Sequence, residues 1–480
     1  MKKDKIISMP CIDEARKKSK ENKVIYSNIQ ISEEIKKLNS GKKYLIKTFG
    51  CQANVRDSET LSGLLESANF ELTESEKDAD VIVINTCAVR ENAEDKVFGE
   101  IGNLKVLSDK TKKKVFAICG CMVEEPEVVE RIKKIFPHIN LIMGTHEVPY
   151  ILDYIEELMT KDISRIISVK SQSGDIVENL PSRRIENYKA FVNIMYGCNK
   201  FCTYCIVPYT RGRERSRLLK DILLECEELV KNGYKEITLL GQNVNAYGKD
   251  LKDGNTFAIL LEEVAKLGIP RLRFTTSHPW DFSSDVIDVI AKYPNIMKAI
   301  HLPVQSGNDD ILKKMGRRYT ANDYRRLVDE MKTKIKDLTI STDIIVGFPN
   351  ETYEQFLDTL KMVDYVKYDS AFTFIYSPRP GTPAAKMEDN VSKEEKHRRF
   401  NELVDRCELY IAESSNKMIG GVYSVLVDGR SKTNPEMLSG YTESNKIVHF
   451  KSPDDLTGQI VKVKIKEAHI YFLNGDLIDG

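Results

Sequence analysis

No apolar run in this 480-residue chain approaches the roughly twenty residues that a membrane span needs. The leading Met1-Lys-Lys-Asp-Lys5 has no continuous apolar stretch behind it, so no secretory leader is expected. Neither charge sign is in excess: 72 Lys and Arg face 72 Asp and Glu, so no global field advertises a nucleic-acid partner. Any RNA contact must then come from local patches. What is present, 41% hydrophobic and 30% charged residues, belongs to a soluble globular class, expected in the cytoplasm. The length allows roughly two to four domains with ample core. Ten cysteines in such a chain point to metal binding or catalysis rather than disulfides.

The placement of the cysteines says more than their number. Cys198, Cys202 and Cys205 stand in Tyr196-Gly-Cys-Asn-Lys-Phe-Cys-Thr-Tyr-Cys205, on a short loop directly after the strand-like segment Ala190–Met195. The C-x3-C-x2-C spacing supplies three thiolates, which on a 4Fe-4S cube leave the fourth iron open to another ligand. A closed zinc site wants four ligands. Neither cysteine nor histidine follows within the next twenty residues, although a ligand from elsewhere would complete such a site. A second set is spread through the first part of the chain. Cys51, Cys87 and Cys121 each follow a predicted strand, in Lys47-Thr-Phe-Gly-Cys51, Ile84-Asn-Thr-Cys87 and Ala117-Ile-Cys-Gly-Cys121. Strand ends of one parallel sheet lie side by side, so these three are expected to meet at one edge as a second three-thiolate site. Cys119 points to the other side of its strand and is expected to pack, and Cys11, Cys226 and Cys407 receive structural readings.

Hydrophobic periodicity divides the chain. Residues 1–42 are lysine-rich with few large apolar positions and are expected to form a flexible basic arm. Strand and helix patterns alternate through residues 43–160, which predicts a parallel sheet covered by helices; residues 161–187 read as a linker. A second alternating series over residues 188–416 gives six strand–helix units, a partial (β/α)6 barrel or open array. In either form reactive groups gather at the C-terminal ends of the strands. Over residues 417–480, short β-patterned runs separated by Gly, Asn, Ser and Pro suggest a small five-stranded, OB-like β-barrel, a form that often binds oligonucleotides. The fold class is therefore α/β with a C-terminal β-barrel. The most basic run, Arg211-Gly-Arg-Glu-Arg-Ser-Arg217, puts Arg211, Arg213, Arg215 and Arg217 directly after the cysteine loop. It is read as a candidate RNA-phosphate or carboxylate contact, against the plainer reading of a solvated loop.

Further runs stand at the predicted strand ends: Thr48-Phe-Gly-Cys-Gln-Ala-Asn54 with Asp57-Ser-Glu59, Asn85-Thr-Cys87, Gly120-Cys121, Thr276-Ser-His-Pro279, His301-Leu-Pro-Val-Gln-Ser-Gly307, Thr342-Asp-Ile-Ile-Val-Gly-Phe-Pro349 and Ser377-Pro-Arg-Pro-Gly-Thr-Pro-Ala-Ala385. With the cysteine triplet, they make residues 43–480 resemble the radical S-adenosylmethionine (SAM) methylthiotransferase family. Gly50-Cys-Gln-Ala-Asn54 is similar to the members that act on N6-dimethylallyladenosine in tRNA. Members acting on a ribosomal protein usually carry Cys-Pro-Lys-Asn there, and those acting on threonylcarbamoyl-adenosine Cys-Lys-Val-Asn. Ala53 and Arg56 depart from the usual methionine and neutral or aromatic residue without touching a ligand.

The resemblance implies an N-terminal cluster domain, a radical-SAM barrel and a C-terminal TRAM domain. It implies two 4Fe-4S clusters, one on Cys51, Cys87 and Cys121 and one on Cys198, Cys202 and Cys205, with SAM at the open iron of the latter. The implied reaction is methylthiolation of carbon 2 of N6-dimethylallyladenosine beside the anticodon. A 5′-deoxyadenosyl radical opens an aromatic C–H bond that acid–base chemistry cannot, the first cluster bears the sulfur, and a second SAM supplies the methyl group. Tyr204, through its backbone, and Gln242, Asn243, Ser277, Gln305, Ser306 and Asp343 become candidate cofactor contacts by their positions. The expected partners are tRNA through its anticodon stem-loop, a reducing electron donor and a sulfur donor, with a monomeric chain and no membrane. Two readings stay open beside this one. One is the same chemistry on threonylcarbamoyl-adenosine or a ribosomal-protein aspartate, and the other a non-catalytic RNA-binding iron–sulfur redox sensor.

Overall fold

The computed structural model describes residues 3–17, 23–27, 31–88, 91–108, 114–171 and 174–478. Seven parallel strands build the first sheet, in the order Lys3–Ser8, Ile163–Ser168, Leu141–Met143, Val115–Gly120, Val81–Thr86, Lys43–Thr48 and Glu71–Leu72. Helices Gln52–Ser67 and Ile151–Thr160 bury Leu61, Leu64, Ile155 and Leu158 on one face. Helices Glu91–Leu104 and Pro126–Ile135 bury Ile101, Val129 and Ile132 on the other. A central strand covered on both faces need not alternate, and every residue of Val81–Thr86 and Val115–Gly120 is buried.

Two expectations change here. The flexible arm over residues 1–42 gives way to an edge strand, Lys3–Ser8, paired with Ile163–Ser168, and to a helix, Glu33–Asn39, capped by the Ser32 side chain. The linker over residues 161–187 supplies Ile163–Ser168 to the same sheet, and its Ile176–Glu178 pairs with Val24–Tyr26. An edge strand is held through main-chain hydrogen bonds, and Ile6 and Ile7 both remain exposed. The alternation that betrays a half-buried strand is therefore missing.

The second domain contains two parallel runs, Lys189–Asn193, Glu236–Leu240 and Arg271–Phe274, then Ala299–His301, Thr339–Val346 and Ser370–Ile375. A parallel bridge between Leu272 and Ile296 lies near the junction of the two runs. Helices follow these strands and form the outer layer, and helix Lys393–Asn416 covers the last strand with Leu403, Cys407 and Ile411. Strand Thr339–Val346 alternates: Ile340, Ile344 and Val346 join the helical core, whereas Ser341, Asp343 and Ile345 occupy the opposite, inner face.

The C-terminal strands Val422–Arg430, Met437–Thr442, Ile447–Lys451, Ile460–Ala468 and Phe472–Leu477 close into a barrel. It docks on the N-terminal ends of the partial-barrel strands. The Arg271 guanidinium donates to the carbonyl oxygens of Tyr441 and Ser424, each at 2.8 Å. Lys189 Nζ meets Asp428 Oδ1 at 2.8 Å, and Lys446 Nζ donates to the Asp369 carbonyl at 2.7 Å. No described helix is long and apolar enough to cross a membrane.

Candidate active site

The Cys198–Cys205 loop leaves the C-terminal end of the first partial-barrel strand through Met195–Tyr196, which pairs with Arg215–Ser216. Gly197 sits at φ +74°, and a Cβ there would lie 2.1 Å from the Arg213 carbonyl oxygen, so only glycine permits this crossing. The Gly197 N–H donates to Gln242 Oε1 at 2.5 Å, and the Cys198 N–H to the Gly212 carbonyl at 3.0 Å. Thr203 is pinned to the Met315 and Lys314 carbonyls at 2.9 and 2.8 Å. Cys202 is buried with Arg317 Nη1 3.9 Å from its sulfur, while Cys198 and Cys205 are half-buried. Burial raises the Cys198 thiol and pushes Cys205 up to about 12. These sulfurs therefore become ligands only when a metal displaces the proton.

The other three cysteines also come together. Cys51 caps helix Gln52–Ser67, Cys87 follows strand Val81–Thr86, and Cys121 follows strand Val115–Gly120. Two fully buried asparagines lock the loops: Asn54 Nδ2 donates to Asn85 Oδ1 and the Thr86 carbonyl, and Asn85 Nδ2 to the Asn54 carbonyl, all within 2.9 Å. The Cys87 thiol hydrogen-bonds Cys51 and, with the charge of Arg211 and nearby helix amides, holds Cys51 down at about 5. Burial raises Cys121, against the pull of Arg211. Among the described residues no three His, Cys, Asp or Glu side chains gather tightly enough for a single ion. A cube takes one thiolate on each iron, so three thiols set on three separate loops fit three of its corners. Cys119 packs in the sheet core, as expected.

Polar groups stand at the C-terminal ends of the partial-barrel strands without partners. Buried Asn243 Oδ1, Ser277 Oγ, His278 Nε2, Gln305 Oε1 and Arg317 Nε accept or donate no hydrogen bond among the described residues. Buried polar atoms are nearly always paired, so this set is suited to a polar ligand. His278 and Arg317 were not singled out from the sequence, although Thr276-Ser-His-Pro279 lay in view. Burial, then the charge of Arg317, keeps His278 neutral. Other expected contacts separate. Gln242 is engaged with the cysteine loop, and Ser306 Oγ faces Thr359 Oγ1 at 3.3 Å and accepts from the Asn308 N–H at 3.2 Å, so Ser306 acts within the fold. The Tyr204 side chain packs with Met315, Phe348 and Ile345, which leaves only its backbone for the expected contact. Asp343 lies on the inner face, 3.5 Å from His301 Nε2. In the neighbouring strand, Phe372 is 52% and Phe374 44% exposed.

Arg211, Arg215 and Arg217 are buried rather than displayed as a solvated patch, and Arg213 is half-buried. Arg217 is buried and forks onto Glu178 at 2.6 and 2.7 Å. Arg215 is buried and donates to the Gly174 carbonyl at 2.6 Å. Arg213 lies over the Phe201 ring, 4.3 Å from its centroid. Arg211 reaches across to the first domain, with Nε 3.0 Å from Cys121 Sγ and Nη1 2.7 Å from Asp57 Oδ2. Asp57, Glu178 and Glu225 take up the charges of Arg211 and Arg217, and Arg215 is spent on a backbone carbonyl, contacts that a local basic run does not disclose.

Known proteins carry the same arrangement. Residues 192–363 match the Radical SAM superfamily, 43–144 the Uncharacterized protein family UPF0004, and 416–478 the TRAM domain. The tRNA-2-methylthio-N(6)-dimethylallyladenosine synthase of Bacillus cytotoxicus is 50% identical over 477 residues, covering 98% of this chain and 92% of that protein. Proteins of the same name from Geobacillus kaustophilus and Staphylococcus saprophyticus are each 50% identical, covering 98% of this chain and 88% and 91% of theirs. In fold, the chain is similar to the radical S-adenosylmethionine methyltransferase TsrM of Kitasatospora setae, with TM-score 0.53 and 14% identity over 72% of this chain and 74% of that one. Half of the residues shared across nearly the full length of both chains, with all three modules in order, leave one assignment: this chain belongs to the radical-SAM family of tRNA-2-methylthio-N(6)-dimethylallyladenosine synthases.

Proposed function

We propose that this chain is a tRNA methylthiotransferase that replaces the C–H hydrogen at carbon 2 of N6-dimethylallyladenosine with a methylthio group. Cys198, Cys202 and Cys205 hold the 4Fe-4S cluster that takes SAM, and Cys51, Cys87 and Cys121 hold a second. The observation that carries this reading is the convergence of two cysteine triplets on adjoining loops, bridged by buried Arg211. When bound, the clusters and SAM supply the one-electron reduction, the sulfur and the methyl group. A one-electron reductant and a sulfur source complete the reaction.

The protein's own residues bind and orient. Arg317, beside Cys202, matches a carboxylate, and the acceptors Asn243 Oδ1, Ser277 Oγ and Gln305 Oε1 match an amino group or ribose hydroxyls. The RNA enters from the opposite end. The C-terminal barrel docks at the N-terminal strand ends, and the eight-residue strand Thr339–Val346 separates it from the cysteine-loop end by about 26 Å. An adenine extruded from RNA on that side meets the inner-face rings of Phe372 and Phe374, a stacking surface of the kind used for flipped bases. These apolar rings suit a dimethylallyl group. The Asp343 carboxylate beside them disfavours the anionic threonylcarbamoyl group or an aspartate.

The test is an anaerobic reaction of reconstituted protein with SAM, dithionite and isopentenylated anticodon stem-loop RNA, its nucleosides resolved by mass. Methylthio-adenosine with 5′-deoxyadenosine is the expected result. Deoxyadenosine without modified RNA would reject the acceptor, and neither product from protein with both clusters would reject the enzyme.

A further inference from the structure

Arg211 stands immediately after the SAM-cluster loop, yet its side chain is spent in the other domain. Its backbone is fixed: its N–H donates to the Val207 carbonyl at 2.8 Å, and its carbonyl accepts from Arg215 Nη2 at 3.2 Å. Nη1 is held by Asp57, on the helix that Cys51 caps, and Nε donates to Cys121 Sγ at 3.0 Å. Nη2 has no partner among the described residues, in a side chain only 8% exposed.

The guanidinium geometry says where the unused donor points. The group is planar, and its Nε–H and one Nη2–H lie parallel along a single edge, the pair that grips two anionic atoms side by side. Nε–H occupies the Cys121 sulfur, so the parallel Nη2–H is directed to the same side, next to that sulfur. A buried cationic N–H lacking an acceptor is costly unless a ligand completes it. The missing partner is an anionic atom adjacent to Cys121 Sγ, on the side of the three thiols.

We propose that Arg211 binds the small sulfur anion, sulfide or methanethiolate, carried at the Cys51/Cys87/Cys121 cluster, gripping Cys121 Sγ through Nε and that anion through Nη2. This rests on the functional reading above, which gives that cluster an open iron and a sulfur to deliver. Arg211 is thus a positioning residue. It holds the sulfur next to the loop that carries the SAM cluster, and its charge stabilises the more negative, reduced form of the cluster whose thiolate it touches. Asp57 left without its partner would act in the same direction as loss of the arginine.

The test compares wild-type, Arg211→Gln and Arg211→Lys as anaerobically reconstituted holoproteins, first titrated with sodium sulfide and with methanethiol, then poised electrochemically, with electron paramagnetic resonance following each cluster. In Arg211→Gln, sulfide and methanethiol affinity should fall about tenfold or more. The midpoint potential of the Cys51/Cys87/Cys121 cluster should drop by about 60 mV, a tenfold change in a one-electron equilibrium. Arg211→Lys keeps the charge but not the parallel N–H pair, so its potential should move less while its sulfide affinity still falls. The Cys198/Cys202/Cys205 cluster should keep its potential in both. Unchanged sulfide affinity in both variants overturns the proposal, as does a common shift of both cluster potentials or loss of the cluster in both variants. Wild-type protein that assembles one cluster instead of two defeats the functional reading, and this inference with it.

Discussion

Replacing Glu225 by glutamine should loosen the joint that sets the two cysteine loops against each other. Glu225, on helix Leu219–Lys231, accepts from Arg217 Nη1 at 2.6 Å and Arg184 Nη2 at 2.5 Å, with Arg56 Nη2 at 3.3 Å. Arg184 also reaches Glu59 Oε2 at 2.9 Å, on the helix capped by Cys51. Arg217 holds Glu178 and donates to the Asn193 carbonyl at 2.7 Å, where the strand turns toward Cys198. Burial disfavours ionisation of Glu225, but Arg217, Arg56 and Arg184 overcome it and hold the carboxyl down at about 2, from an ordinary 4.5. That displacement is worth about 3 kcal/mol, near the ~3–5 kcal/mol lost when one member of a buried ion pair is removed. Because the folded-state pKa is depressed, the stabilisation is complete above the unfolded value and disappears as pH falls from about 4.5 toward 2. The difference between wild type and Glu225→Gln should therefore stay constant between about pH 6 and 8. Anaerobic urea unfolding, followed by circular dichroism and by cluster absorbance, measures it. A difference below about 0.5 kcal/mol, the range of an ordinary surface change, or one that varies across that pH range, would refute the reasoning. The same variant should yield less methylthio product per 5′-deoxyadenosine formed, since the two loops lose their register.

Alanine at Cys198, Cys202 or Cys205 should remove one of the two clusters and abolish SAM cleavage. Alanine at Cys51, Cys87 or Cys121 should remove the other and leave deoxyadenosine formation without methylthio product; iron analysis and nucleoside mass distinguish the cases. Phe372→Ala and Phe374→Ala should each raise KM for the isopentenylated stem-loop about tenfold or more, with KM for SAM unchanged; the reverse pattern would assign the rings to the SAM adenine. Arg271→Ala deletes two charge-assisted hydrogen bonds, each worth ~1.5–3 kcal/mol. It should free the C-terminal barrel, seen as faster proteolysis near Gly420 and weaker RNA binding, while RNA-independent SAM cleavage persists.

Much of this protein is written locally. Strand Thr339–Val346 carries its own signature, since a strand feeding one face to a core buries every second residue. Both cysteine triplets were visible as spacing or as equivalent positions after strands, since a parallel sheet aligns its strand ends. Met437–Thr442 is the least legible barrel strand, because Ser439 and Gly440 interrupt its apolar pattern, yet its barrel partners pair it from both sides. Lys3–Ser8 escaped because an edge strand depends on a neighbour that comes about 160 residues later in the chain. Charge was the least legible property. Arg211, Arg215 and Arg217 looked like a patch offered to RNA, and Arg56 like a minor departure. Their partners, Cys121 and Asp57, Gly174, Glu178 and Glu225, come from other parts of the chain. The sequence by itself determined most of the secondary structure, the module order and the two cysteine sets, because each shows as a local pattern or as a position after a strand. Which arginines are buried and how the two cysteine loops meet were decided only by the tertiary structure, because a charge takes its role from whatever opposite charge the fold brings beside it.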